Sequence, residues 1–310
     1  MLKPSQITDN CLRFLDSDFF YSFRRSHITV VATAVLAGIV LCALLAPWIA
    51  PHDPFNVATL DLMDSERPPV WKEGGDSRFL LGTDNQGRDV LSAILYGSRI
   101  SLMVGFCSVI FAMVLGVSLG LVSGYAAGFI DALIMRIADV MLSFPSILIV
   151  LLINGVAQGI LPRELRENAA LFILVASIGM TTWVQYARTV RGKTMVEKGK
   201  EYVLAARVIG LHPLLIMVRH VLPNVITPIL VIATINLGGA VLLEATLSFL
   251  GVGMPPTKPS LGTLIRIGNE FLFSGVWWVV IFPSVVLVLL VLSVNLVGDW
   301  LRDALNPKLR

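Results

Sequence analysis

Long uncharged apolar runs alternate with short charged segments along this chain. The cleanest run is 29–50, TVVATAVLAGIVLCALLAPWIA, which holds no charged side chain. Crossing bilayer hydrocarbon takes about 20 apolar residues, so the run predicts a membrane span. The next uncharged run, 100–130, is long enough for a tilted helix followed by a glycine-rich turn near 123–128. Four more candidates follow at 140–160, 169–187, 225–243 and 276–297. Pro145 and Gly155 interrupt the first of these, and the second is short. Backbone polar groups in lipid must be satisfied within the segment, so the spans are expected to be helices. The predicted fold class is an all-α integral membrane protein with about six transmembrane helices.

Composition agrees with that pattern. The 310 residues are 55% hydrophobic and only 15% charged, against about 25% charged in a soluble domain. The net charge of +3 is small, and no basic run with interleaved aromatics suggests nucleic acid as a partner. The distribution of Lys and Arg is more informative than their sum. Six spans place both termini on one side, and 15 of the 24 Lys/Arg fall on that side, seven of them between 188 and 222. Positive charge marks cytoplasmic flanks, so both termini are expected in the cytoplasm. The first apolar run is too long for a signal-peptide core and is expected to stay in the chain as a span.

These boundaries divide the chain into a cytoplasmic amino-terminal segment (1–28), a first transmembrane helix (29–50) and an extracytoplasmic loop (51–98). A core (99–300) with five further helices and a cytoplasmic loop at 188–222 follows, and then a cytoplasmic tail (301–310). The first half of the 51–98 loop is rich in turn residues. Its end, 89–99, reads as an amphipathic helix at the membrane surface, with Asp84 and Asp89 as candidate caps.

The stretch 201–224, EYVLAARVIGLHPLLIMVRHVLPN, is unusual between two spans. Ala206, Ile209 and Gly210 share a helical face at i, i+3, i+4 spacing. The pair Ala205-Ala206 keeps the surface low, so that another backbone can approach. Gly210 suits the left-handed end of a first short helix, and Pro213 the first turn of a second. Pro223 is expected to break that second helix, and Asn224 to cap the span after it. The result is a basic, stiff elbow joined to a membrane helix.

The stretch resembles the cytoplasmic coupling loop of permease subunits of ATP-binding-cassette (ABC) importers. The family pattern is Glu-Ala-Ala, three residues, Gly, nine residues, Ile, one residue, Leu-Pro. Ala205, Ala206, Gly210, Leu222 and Pro223 match it; Leu204 and His220 replace the family's Glu and Ile. Those departures, with Tyr202, Arg207 and Asn224, are similar to the branch importing dipeptides, oligopeptides and nickel. LGTDNQGRDVLSAILYGSRISL (81–102), EATLSFLGVGMPPTKPSLGTLI (244–265) and GDWLRDALNPKLR (298–310) resemble the same branch, with Leu261 and Asn306 in place of the commoner Trp and Asp. The resemblance runs from about residue 20 to 310.

It implies a type I importer permease fold in a bacterial cytoplasmic membrane. The implied partners are a second homologous permease subunit, two ABC ATPase subunits and an extracytoplasmic solute-binding protein. Tyr202, Ala205, Ala206, Arg207, Gly210, Leu222 and Pro223 would couple the chain to an ATPase. ATP and Mg would be bound by the partners, leaving this chain without a cofactor and without catalysis of its own.

Other chemistry is sparse. No GxxxxGK[ST] phosphate loop is present. The four histidines are dispersed, and Cys11, Cys42 and Cys107 make no metal-ligand or disulfide pattern. Glu244 lies at the end of the fifth span. A carboxylate at the bilayer centre costs about 2.5–3.5 kcal/mol on insertion scales, so it must face protein or water. It reads first as a carboxylate at the interface and second, with Asn236, as part of a translocation path. Asn154, Gln158, Gln185 and Asn295 either line that path or bond neighbouring helices. Gly116 and Gly120 read as a helix-packing pair. An autonomous secondary transporter or channel remains the alternative; it would carry charges in mid-span, and these are nearly absent.

Overall fold

The structure is a computed structural model that describes residues 23–55 and 60–304. Expectations for 1–22 and 305–310 lie outside the described residues. Among the described residues every regular element is a helix, and Thr83 and Asp89 form an isolated β-bridge. Five helices are long and apolar enough to cross a membrane, and six cross if one bent pair counts as a single span.

Helix α1 (His27–Leu44) starts on Ser26, whose hydroxyl accepts the Thr29 N–H. It ends earlier than the apolar run does. Pro47 cannot donate to the ladder and its ring would crowd a carbonyl one turn back, so the chain reopens at Leu45 into a short helix α2 (Ala46–Ile49). Helix α3 (Val90–Ala126) has 37 residues, about 55 Å at 1.5 Å per residue. The expected surface helix at 89–99 is therefore the first part of this span. No breaker separates it from the apolar run, so the hydrogen-bond ladder continues through it. Of the two candidate caps, Asp89 does cap α3, accepting the Ser92 N–H at 2.9 Å. Asp84 does not; it binds Arg88.

After a turn at Ala127 (φ 57°), α4 (Gly128–Leu142) and α5 (Ser146–Ile160) are bent by 96° from each other. The expected single span at 140–160 is thus broken at Ser143–Pro145, because proline biases the residue before it away from the helical region. Gly155 interrupts nothing and lies inside α5. Helix α6 (Arg163–Glu197) is nearly twice as long as its apolar run, so 188–197 is helix and only about 198–212 is loop. Helices α7 (Glu201–Val208) and α8 (Pro213–Ile216) follow, then a π-helical turn (Met217–Val221) and α9 (Leu222–Phe249). Helix α10 (Leu261–Glu270) lies between α9 and α11 (Trp278–Ala304).

Helices α3 and α6 form the central pair, and glycine sets their separation. A Cβ on Gly116 would lie 2.4 Å from the Trp183 carbonyl oxygen, and one on Gly120 would lie 2.6 Å from that of Ala187. Gly124 meets Thr194 in the same way one turn further on. Around this seam, Ala112, Trp183, Tyr186, Ala187 and Val190 form a core that also takes in Val203 and Ala206 of α7 and Ile216 beyond it.

The two ends of the bundle are built differently. At one end the 60–89 segment is tied to the 250–278 segment. The Arg88 guanidinium is buried, pairs with Asp84 at 2.6 Å, and donates to the Pro256 carbonyl at 3.1 Å. The Trp278 indole N–H donates to the Thr83 carbonyl at 3.0 Å. The opposite end carries the 198–212 loop.

Candidate functional site

The loop of 198–212 is a helical hairpin held on the chain's own spans. Gly210 adopts φ +83°, a conformation few other residues tolerate. It ends α7 with a Schellman pattern: the Leu211 N–H bonds the Ala206 carbonyl at 3.1 Å and the Gly210 N–H that of Arg207 at 2.9 Å. Pro213 then occupies the first turn of α8, and the His212 Nδ1 accepts the Leu214 N–H.

The two alanines part company. Ala206 is 4% exposed and packs with Val203 into the core beneath the hairpin. Ala205 points outward with Leu204. The low surface expected at Ala205-Ala206 is therefore used half inward: α7 lies close on its own spans, and the outward face is larger and more apolar than small residues alone would make it. Val208 (88% exposed), Ile209 (77%) and Leu214 (58%) stand out from it.

No break occurs at Pro223. Helical hydrogen bonding runs from Pro213 to Phe249. In an α-helix the Pro223 ring would collide with the Arg219 carbonyl and leave it unbonded. The π-helical turn removes the conflict by opening the ladder, and the Leu222 N–H reaches back five residues to the Met217 carbonyl. Leu222 is partly buried against the core below, and Pro223 is exposed. Asn224 is not a cap. Its amide nitrogen donates to the His220 carbonyl at 2.8 Å and to the Tyr202 hydroxyl at 3.1 Å.

Tyr202 joins three elements. Its hydroxyl donates to the Glu197 carboxylate at the end of α6 and accepts from Asn224 at the start of α9. Burial, and then the adjacent Glu197 carboxylate, push the Tyr202 phenol up to about 12, so it stays neutral and keeps donating throughout the physiological range. Lys200 adds an ion pair to Glu197 at 2.7 Å. Arg207 lies over the Tyr125 ring, 4.7 Å from its centroid, and donates to its hydroxyl at 3.2 Å. Lys198 donates to the Gly124 carbonyl at the end of α3, where a cation complements the helix dipole. Glu197 and Tyr125 were not among the expected site residues. They lie in ordinary helical sequence, and only the fold brings them to Tyr202 and Arg207.

Glu244 faces protein rather than water in this conformation. It is fully buried, accepting from Ser101 of α3 and from Ser248 of α9, each at 2.7 Å. Those serines also accept backbone N–H groups, Ser101 that of Leu261 and Ser248 that of Met254. The carboxylate thus holds α3, α9 and the entry to α10 together. Asn236, partly buried in mid-span, has an amide nitrogen with no hydrogen-bond partner among the described residues. Asn154 donates to the Val252 carbonyl and accepts from Gln158. Among the described residues no group of three His, Cys, Asp or Glu is placed to hold a metal ion.

Comparison with known proteins agrees with this geometry. Residues 16–69 match the N-terminal transmembrane domain of oligopeptide transport permease C. The dipeptide transport system permease protein of Haemophilus influenzae is 39% identical over 94% of this chain and 95% of its own length. The di/tripeptide transport system permease protein of Pseudomonas aeruginosa is 38% identical over 94% of this chain and 92% of its own. The glutathione transport system permease protein of Pectobacterium atrosepticum is 34% identical over 98% and 95%. Among solved structures, the methionine ABC transporter MetNI in an inward-facing conformation superposes with a TM-score of 0.53 at 22% identity. That match covers 70% of this chain and 97% of the MetNI chain, and it shows the type I importer permease fold. With residues 116–310 matching the binding-protein-dependent transport system inner membrane component, the chain belongs to that family of multi-pass bacterial inner-membrane permease subunits.

Proposed function

We propose that this chain forms half of the pore of an ATP-driven importer of di- or oligopeptides, with 198–222 as its coupling element. A second, homologous permease subunit forms the other half. Two ABC ATPase subunits bind ATP and Mg on the cytoplasmic side, and an extracytoplasmic solute-binding protein delivers the peptide. The peptide assignment is supported by the curated relatives, whose names specify dipeptides or di/tripeptides at 38–39% identity.

One observation carries the coupling role: an exposed apolar knob is fixed rigidly to membrane helices. Val208, Ile209 and Leu214 face out, while Val203, Ala206 and Ile216 anchor the hairpin in the core. Tyr202 and Arg207 brace it on α6, α9 and α3. The helix from Pro213 to Phe249 is continuous, so a push on the knob reaches the full depth of the membrane. ATP binding closes the ATPase pair, the knob follows, and the cavity between the two permeases opens outward to receive peptide.

Gly210→Val tests this reading. A β-branched residue at φ +83° is strongly strained, at more than the roughly 1–2 kcal/mol of an ordinary left-handed residue. The turn should shift and move the knob. In reconstituted complex the expected result is ATP hydrolysis retained with peptide uptake reduced at least about tenfold. Unchanged uptake would remove the coupling role. Copurification of the tagged chain with a sister permease and ATPases tests the partner set, and a chain that stays alone would point to an autonomous transporter.

A further inference from the structure

At the end of the bundle opposite the hairpin lies a pocket of about 250 Å³ with mixed polar and apolar walls. It is bounded by α5, the start of α6, the 251–256 turn and α10. Two guanidinium groups reach it, Arg166 from α6 and Arg266 from α10, and Asn154 and Gln158 supply amides from α5. Arg166 is committed in part, donating its Nε to the Leu161 carbonyl at 2.9 Å. Arg266 is partly buried and lies against the left-handed turn at Gly251. Its Nε is enclosed by protein with no hydrogen-bond partner among the described residues. The pocket's carboxylate, Glu167, points to solvent and makes no ion pair with either arginine. A guanidinium cannot shed its charge, and its fork of donors matches a carboxylate in bidentate geometry. Arg266 lines the pocket, is only partly buried, and makes no ion pair among the described residues, so a carboxylate entering the pocket meets a guanidinium not already matched.

We propose that the Arg266 pocket is a carboxylate site that takes the terminal carboxylate of the peptide as it enters the pore. The assignment rests on the import reading above. The pocket is smaller than the roughly 300–1,000 Å³ of a site that engulfs a small molecule, so it fits one end of a short peptide. Its single uncommitted arginine suits a transit site, where binding must be strong enough for entry and weak enough for release. The Asn154 bond to Val252 holds the 251–256 turn beside the pocket.

The test uses the complete complex with its binding protein in proteoliposomes, reading dipeptide uptake and ATP hydrolysis together. Arg266→Gln is expected to lower uptake per ATP hydrolysed by about 10- to 100-fold, the range for losing hydrogen bonds to a charged group. Arg266→Lys should recover part of it. Stimulation of ATP hydrolysis by the solute-free binding protein should stay at the wild-type level. Gln158→Glu, which puts a competing carboxylate into the pocket, should give the same loss without removing Arg266. Wild-type uptake in both Arg266→Gln and Gln158→Glu overturns the site. Loss of stimulation by the solute-free binding protein also overturns it, because the arginine would then be meeting an acidic side chain of that protein. A wild-type complex that hydrolyses ATP but takes up no peptide overturns the import reading itself.

Discussion

At the scale of single residues, the charged groups that matter are structural before they are anything else. Glu244 shows this most clearly. Its position at the end of a span suggests an interfacial carboxylate or a pore residue, and the structure makes it a fully enclosed acceptor for two serines from different helices. Nothing in the local sequence signals that role, because Ser101 lies 143 positions away. Replacing Glu244 by Ala leaves both hydroxyls without an acceptor in a site water does not reach. Each orphaned buried group costs about 1–3 kcal/mol, so Glu244→Ala should lower the detergent melting temperature markedly and reduce the yield of folded protein. Glu244→Gln keeps a carbonyl acceptor and most of the volume, and should lose less than half as much. Equal melting for Glu244→Ala and wild type would show the carboxylate to be dispensable to packing. By contrast, Gly210 and Pro213 were legible, since a left-handed helix end and a first-turn proline are properties of the residue itself. Pro223 was misread because the expectation treated proline as a stop, when a π-helical turn can absorb it.

Among the helices, apolar length located the spans and said little about their ends. Spans α3 and α6 both run well past the uncharged runs that announced them, since a helix stops where its ladder is broken and not where hydrophobicity falls. The glycine seam between them was legible in part, as the pair Gly116 and Gly120. Its extension to Gly124 was not, because only the path of α6 shows which face of α3 it meets. In lipid, the association of helices relies on close van der Waals packing, which small residues permit. A side chain at Gly120 would meet the Ala187 carbonyl at 2.6 Å and the Val190 Cβ at 2.8 Å, and both are helix atoms that cannot swing away. Gly120→Leu should therefore push α6 off α3. Overpacking of a tight core costs about 1–3 kcal/mol or more. Because α6 carries Glu197 and α3 carries Tyr125, the displacement should also loosen the hairpin. The expected outcome is lower thermal stability together with loss of ATP-coupled uptake. The same substitution at Gly155, an exposed position inside α5 where nothing lies within 4 Å of an added Cβ, should cause far less overpacking. Similar melting for Gly120→Leu and Gly155→Leu would show that the seam is not close-packed in the membrane.

For the whole molecule, the fold sets the two ends apart, and charge predicts which of them faces the cytoplasm. The 60–89 and 250–278 segments share one end, and the hairpin lies at the other. The excess of Lys/Arg on the hairpin's side predicts that this side faces the cytoplasm. Each end offers a very exposed apolar side chain as a reporter: Met63 (85%) at one and Val208 (88%) at the other. In a chain with Cys11, Cys42 and Cys107 replaced, a single cysteine is placed at either reporter and exposed to a membrane-impermeant maleimide. In spheroplasts Met63→Cys should label at once, and Val208→Cys only after lysis. The reverse order would invert the topology and put the hairpin beyond the reach of any cytoplasmic ATPase. After lysis a second result is expected. Val208→Cys should label fully when the permease is expressed alone and several-fold more slowly when the ATPase is coexpressed, because a knob seated in a partner is out of water. Met63→Cys should be indifferent to the ATPase. Protection at Val208 that appears only with the ATPase, on the face first identified by its positive charge, would tie orientation, docking and the push along the helix from Pro213 to Phe249 to a single surface.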